Sequence, residues 1–148
     1  MKVGIIDYGV GNLGSVARAL EELRVTPVII TNTTDMRAVD SLILPGVGNF
    51  SDCARLLNEG GWFQGLQDEV IGKKKPLLGV CVGMQLLATL SMEGASADMP
   101  DGTSGLNFIP GQVVHLRNLG CELRIPQVGW NAVTPTTTDD SLFDNIPA

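Results

Sequence analysis

The chain opens on an uninterrupted apolar run, Val3-Gly4-Ile5-Ile6, and a stretch of helical period follows it, with Leu13, Val16, Ala17, Leu20 and Leu23 on one face. An apolar run without alternation marks a strand covered on both faces of a parallel sheet, so Lys2 to Asp7 and the segment after it read as a βα unit. The pattern then repeats. Pro27 to Thr31 and Ser41 to Leu44 read as the second and third strands. Ser51 and Asp52 start a helical region to Gly72, broken at Gly60-Gly61, with Trp62, Leu66 and Val70 as core positions. Pro76 ends it, and Leu77 to Val80 is a fourth buried run feeding a helix to about Met92. Strands alternating with helices predict a doubly wound, flavodoxin-like α/β sheet.

Beyond that helix the pattern changes. Glu93 to Gly105 is small, polar and glycine-rich, which predicts a solvent loop. Val113 to Arg117 and Leu123 to Trp130 read as short strands of a smaller β-rich part. Thr134 to Asp140 is a turn-rich connection, and Ser141 to Asp144 starts one short helix.

A length of 148 residues with 44% apolar content predicts a single domain over 1–148. A net charge of −6 argues against a nucleic-acid surface, because the only basic run, Lys73-Lys74-Lys75, reads as solvated charge at a helix end. Cys53, Cys81 and Cys121 are widely spaced and the chain has one histidine, which argues against a disulfide framework and a metal site. With no extended apolar leader and no run near 18 apolar residues, the expectation is a cytoplasmic protein without membrane contact.

The chemistry concentrates at Gly79-Val80-Cys81-Val82-Gly83, where a cysteine sits at the carboxyl end of a strand and under a helix N-terminus. Glycines two residues to either side allow the tight turn of a nucleophile elbow, with sulfur in place of oxygen. A small buried thiol is the plain alternative. Pro45-Gly46-Val47-Gly48-Asn49 follows the third strand, and loops at the carboxyl ends of neighbouring parallel strands share the crevice where open α/β sheets bind ligands. Gly9-x-Gly11-x-x-Gly14 has the dinucleotide-binding spacing, but strand two ends in Thr31-Asn32 without the acidic partner that reading needs, so no cofactor is expected. His115 lies in a strand-like run with no acidic orienter and reads as structural.

Gly79-Val80-Cys81-Val82-Gly83-Met84-Gln85-Leu86-Leu87 resembles the nucleophile motif of class I, triad-type glutamine amidotransferases. Val3-Gly4-Ile5-Ile6-Asp7-Tyr8-Gly9-Val10-Gly11-Asn12-Leu13, Leu44-Pro45-Gly46-Val47-Gly48 and Gly129-Trp130-Asn131 narrow the resemblance to the glutaminase subunits of imidazole glycerol phosphate synthase, an enzyme of histidine biosynthesis. The resemblance implies that Cys81 is the nucleophile. It also implies that Gly46, Val47, Gly48 and the N–H of Val82 hold an oxyanion, and that Gln85 helps to bind glutamine. Gly11, Asn12, Gln127 and Trp130 would face a synthase subunit in a heterodimer, although Gln127 stands where the family usually has histidine. The family's catalytic His-x-Glu pair lies far downstream of the cysteine, and no His-x-Glu occurs here, so the expectation is a domain lacking its carboxyl-terminal part and inactive alone. Two alternatives stay open: an interaction domain that keeps the fold without chemistry, and the glutaminase partner of a sugar amidotransferase.

Overall fold

Four parallel strands form the main sheet: β1 (Lys2–Ile6), β2 (Thr26–Ile30), β3 (Ser41–Leu44) and β4 (Leu77–Gly79), in the order β2-β1-β3-β4. The computed structural model describes residues 1–93 and 101–132. β1 is buried from Val3 to Ile6 because it is central, pairing from Lys2↔Thr26 to Ile6↔Ile30 on one side and from Val3↔Ser41 to Ile5↔Ile43 on the other. The order is that of a doubly wound sheet, in which the crevice lies at the carboxyl ends of the strands.

Helix α1 (Leu13–Glu22) crosses from β1 to β2 and starts at Asn12, whose Oδ1 accepts from the Ser15 N–H at 3.2 Å. It buries no residue fully, and Leu23, read from the sequence as part of its apolar face, lies past its end and is exposed. Helix α2 (Phe50–Glu59) behaves differently. Phe50, Cys53, Ala54 and Leu57 are all buried and join Ile6, Leu42, Leu44 and Leu86 in one core. Asn49 caps it, accepting from the Asp52 N–H at 2.8 Å. The break at Gly60-Gly61 falls where the sequence places it, and α3 (Trp62–Leu66) runs on into a π-helical turn over Gln67–Gly72. Trp62 and Leu66 are buried and Val70 packs partly against the same core.

The basic run is not simply solvated. Glu69 is buried, and Lys73 and Lys75 reach its carboxylate at 2.6 and 3.1 Å, with Arg37 at 3.8 Å. Lys75 also donates to the Met36 carbonyl and is itself mostly covered. A buried carboxylate needs such partners, and the spacing Glu69 to Lys73 delivers one of them a helical turn away.

Further expectations are corrected. β4 is not covered on both faces, since Leu78 is 57% exposed, and among the described residues it lies at one edge of the sheet. The helix after Cys81 does not run to Met92: α4 spans Val82–Gln85, and β5 (Ala88–Ser91) follows it. Met84, Leu87 and Ala88 have helical spacing, but the backbone N–H groups of residues 105–109 find acceptors on Leu86 to Thr89, and that pairing decides the local form. β5 is the centre of a second sheet, parallel to β7 (Ile109–Val113) and antiparallel to β6 (Thr103–Ser104). The smaller β-rich part is therefore present but begins earlier than its composition suggests. The strand read over 113–117 is β7 ending at Val113, followed by a 3-10 turn over Leu116–Leu119, and 123–130 forms no strand. Thr103–Ser104 is a strand inside the expected loop. The connection and short helix read over 134–144 lie outside the described residues.

Candidate active site

The backbone at Cys81 is held at φ 57° and ψ −121°, a conformation that non-glycine residues rarely adopt. Strain of this kind costs about 1–3 kcal/mol and is kept where the surroundings fix it. Here they do so on both flanks. The Val80 N–H donates to the Leu44 carbonyl at 2.9 Å, and the Met84 N–H returns to the Cys81 carbonyl at 3.0 Å. A Cβ on Gly83 would overlap the Leu44 carbonyl oxygen, and one on Gly79 would come within 2.5 Å of the Met84 Cα. The glycines that the sequence places around the cysteine are therefore required by close approach of backbone to backbone, and the side chain between them is left exposed. Of the three cysteines, Cys53 is buried and Cys121 is partly covered.

The loop after β3 lies directly against this elbow. A Cβ on Gly46 would come within 2.5 Å of the Gly83 nitrogen and 3.0 Å of the Val82 side chain, so only glycine lets the two turns touch. The Val82 N–H is the first of α4 and has no acceptor within that helix.

Gly48, Cys81, Val82 and Gln85 line one crevice of about 520 Å³, together with Met92, Glu93, His115, Leu116, Asn118 and Ile125. A larger concavity of about 580 Å³ over α2, α3 and β6 contains neither a cysteine nor a glycine loop, so size alone does not locate the chemistry. Gly46 and Val47, expected beside Gly48 at the same site, are not among the residues that line it. Two of its walls come from residues the sequence placed elsewhere. Glu93, read as the start of a solvent loop, accepts from the Phe50 N–H at 2.9 Å and so brings a carboxylate from the end of β5 to the start of α2. No local pattern announces it, because its partner is 43 positions away. His115 stands on the opposite segment, and its Nδ1 accepts from the Arg117 N–H at 3.2 Å. A neutral imidazole in that arrangement carries its proton on Nε2, which makes the free nitrogen a donor rather than a base.

The residues expected to face a partner do not line this crevice. Asn12 is exposed at the start of α1, and Gly11, at φ 119°, approaches Pro45 so closely that a Cβ would lie 3.0 Å from it. Gln127 lines a shallow depression with Arg124, Pro126 and Val128, and Trp130 is fully exposed.

A family model described as glutamine amidotransferase class-I matches residues 4–140. The chain belongs to this family. Among the relatives of this amidotransferase are three described as imidazole glycerol phosphate synthase subunits, named HisH 1 in Campylobacter jejuni and HisH in the other two organisms. The C. jejuni subunit is 40% identical over 97% of the chain and 68% of its own length. The subunit of Carboxydothermus hydrogenoformans is 39% identical over 97% and 67%, and that of Halalkalibacterium halodurans is 42% identical over 97% and 65%. The chain thus spans about two thirds of the length of these relatives. A solved glutamine amidotransferase structure aligns with a TM-score of 0.55 at 23% identity, covering 68% of this chain and 52% of that one. A peptidase E protein of Listeria monocytogenes EGD-e aligns with a TM-score of 0.56 at 16% identity, covering 73% and 62%. Both likenesses concern the fold.

Proposed function

We propose that this amidotransferase domain is the glutaminase part of an imidazole glycerol phosphate synthase, and that Cys81 is its nucleophile. The observation that carries the reading is the exposed sulfur on a strained elbow facing the crevice that Gly48 also lines. The sulfur adds to the side-chain amide carbon of glutamine, and the carbonyl electron pair moves to oxygen. The N–H groups of Val82 and of the Gly46–Gly48 loop receive that negative charge. The C–N bond then breaks, the nitrogen takes a proton and leaves as ammonia, and water hydrolyses the thioester to glutamate and free thiol. Glu93 gives the crevice a negative charge suited to the α-ammonium of the substrate, and Gln85, one turn after Cys81, supplies an amide. Ammonia passes to a cyclase subunit, paired as a heterodimer through a surface that includes Gly11, Asn12, Gln127 and Trp130. The work is cytoplasmic and needs neither cofactor nor nucleic acid. Among the described residues no helix is long and apolar enough to cross a membrane.

A second reading is an interaction domain that keeps the fold without turnover, and the same assay separates the two; these 148 residues contain no His-x-Glu. Loss of the base from such a unit costs on the order of 10⁴ to 10⁶ in turnover. The 148 residues alone are expected to release no measurable glutamate from glutamine. The assay is run on the chain alone, with a cyclase subunit, and with a supplied carboxyl-terminal segment bearing His-x-Glu. Turnover restored by the segment supports the amidotransferase, whereas turnover by the chain alone that vanishes in His115→Ala shows that the base lies within it. Silence in every arm, with the segment bound, favours the interaction domain.

A further inference from the structure

The loop between β3 and α2 is tied down from beneath by two buried side chains on different elements. Tyr8, just past β1, donates its hydroxyl to the Pro45 carbonyl at 2.9 Å. Cys53, one turn into α2 and fully buried, places Sγ 3.4 Å from the Val47 carbonyl, to which its S–H donates. Neither side chain belongs to the crevice itself.

A trans peptide is planar, and its N–H points away from its C=O. With the Val47 carbonyl drawn toward a sulfur in the core, the N–H of the same unit, which belongs to Gly48, is turned away from the core. Gly48 lies on the crevice with Cys81. The Pro45 carbonyl, held by Tyr8, fixes the Pro45–Gly46 unit, two peptide units earlier, where Gly46 abuts Val82 and Gly83. We infer that Tyr8 and Cys53 are positioning residues that aim the Gly48 N–H at the reacting oxygen, a role that rests on the glutaminase reading of the crevice. Without the Cys53 anchor the Val47–Gly48 unit can rotate, and a carbonyl facing the crevice repels the oxyanion that an N–H would hold. Burial above all, and then the neighbouring Cys53, push the Tyr8 phenol up, so it remains a protonated donor through the neutral range.

The test uses the 148-residue chain and two reagents for Cys81, each read by mass spectrometry at that residue. A glutamine-shaped chloromethyl ketone reacts through an oxyanion: the thiolate adds to the ketone carbon and negative charge gathers on its oxygen, the sulfur then displaces chloride from the neighbouring methylene through a three-membered ring, and the bond from sulfur to the ketone carbon breaks as the carbonyl re-forms. Iodoacetamide alkylates by direct displacement of iodide and gathers no charge on a carbonyl oxygen. Cys53→Ala and Tyr8→Phe should each slow the ketone reaction about tenfold or more, while Cys53→Ser, which keeps a donor, should stay within about threefold of the unsubstituted chain. Iodoacetamide rates should stay within about twofold in all of them, which separates misaimed donors from a collapsed fold. Equal ketone rates in Cys53→Ala, Tyr8→Phe and the unsubstituted chain overturn the inference and leave the glutaminase reading standing. If the unsubstituted chain is alkylated by iodoacetamide but ignores the ketone, both fall. A parallel loss with both reagents in both variants also overturns the inference, because the two residues then serve only the fold.

Discussion

The elbow around Cys81 and the stretch from Leu116 to Trp130 are both rich in apolar side chains, but they use them in opposite ways. At the elbow Leu44, Phe50, Val82 and Leu86 are buried, and every turn is pressed against another. In the later stretch Leu119 is 70% exposed, Val128 87% and Trp130 104%. Burying one such side chain is worth about 1.5–3 kcal/mol, so the first group holds the domain together and the second contributes little to it. An apolar residue in a sequence therefore has two destinations, its own core or another surface, and hydropathy does not distinguish them.

The contrast is broken most severely from the elbow side. Gly83→Ala drives a methyl group into the Leu44 carbonyl, which is backbone and cannot swing aside. A cost of about 3 kcal/mol or more is expected, because relief requires the two turns to part. Urea unfolding followed by circular dichroism measures it. A midpoint unchanged from the unsubstituted chain would mean that the close packing of elbow and loop is not what fixes this region.

A smaller effect is expected at Glu69, where the buried carboxylate ties the π-helical turn to Lys73 and Lys75. The hydrogen bond from Lys73 lowers the Glu69 carboxyl below its ordinary 4.5, against the opposing effect of burial, and Lys75 adds to the lowering. A carboxylate with a lowered folded-state pKa contributes stability that is fully present above its unfolded value and is lost as pH falls through the folded one. Glu69→Gln should therefore cost about 2 kcal/mol at pH 7, less than a fully enclosed pair because Lys73 stays in water. That gap should narrow as pH falls below about 4.5, where the unfolded carboxyl takes up its proton, and close once the native carboxylate has been protonated as well. Urea titrations of both proteins at pH 7 and pH 4 check it, and a gap that widens on acidification contradicts the assigned sign.

What was legible in the sequence follows the same division. The strands of the main sheet rest on short apolar runs and glycine turns, and β3 was placed to the residue. The elbow around Cys81 was legible because its glycines are forced by backbone contact that any such turn must make. The helix expected to reach Met92 was not, since Ala88–Ser91 takes strand form only through β6 and β7, whose pairing is non-local. Glu69 was hidden for a similar reason: a lysine run beside a helix reads as solvated until a buried carboxylate turns toward it. Glu93 and the Tyr8 and Cys53 anchors depend on partners 43, 37 and 6 positions away, and only the last is near enough for a local pattern, which sulfur does not provide.

The smallest effect on stability, and the sharpest test of the contrast, belongs to Trp130. A side chain exposed to 104% has nothing to lose within the domain, so Trp130→Ala should shift the unfolding free energy by no more than about 0.5 kcal/mol. Exposed aromatic residues that anchor an interface typically carry about 2 kcal/mol or more of binding, so the same substitution should weaken association with a cyclase subunit roughly thirtyfold. Calorimetric titration of the two proteins against the subunit, with unfolding measured in parallel, gives both numbers. Unchanged binding would remove Trp130 from the proposed interface, and an unfolded variant would place it in a core that its exposure denies. The combination of a silent fold and a lost partner is what distinguishes an apolar residue kept for another surface from one kept for its own.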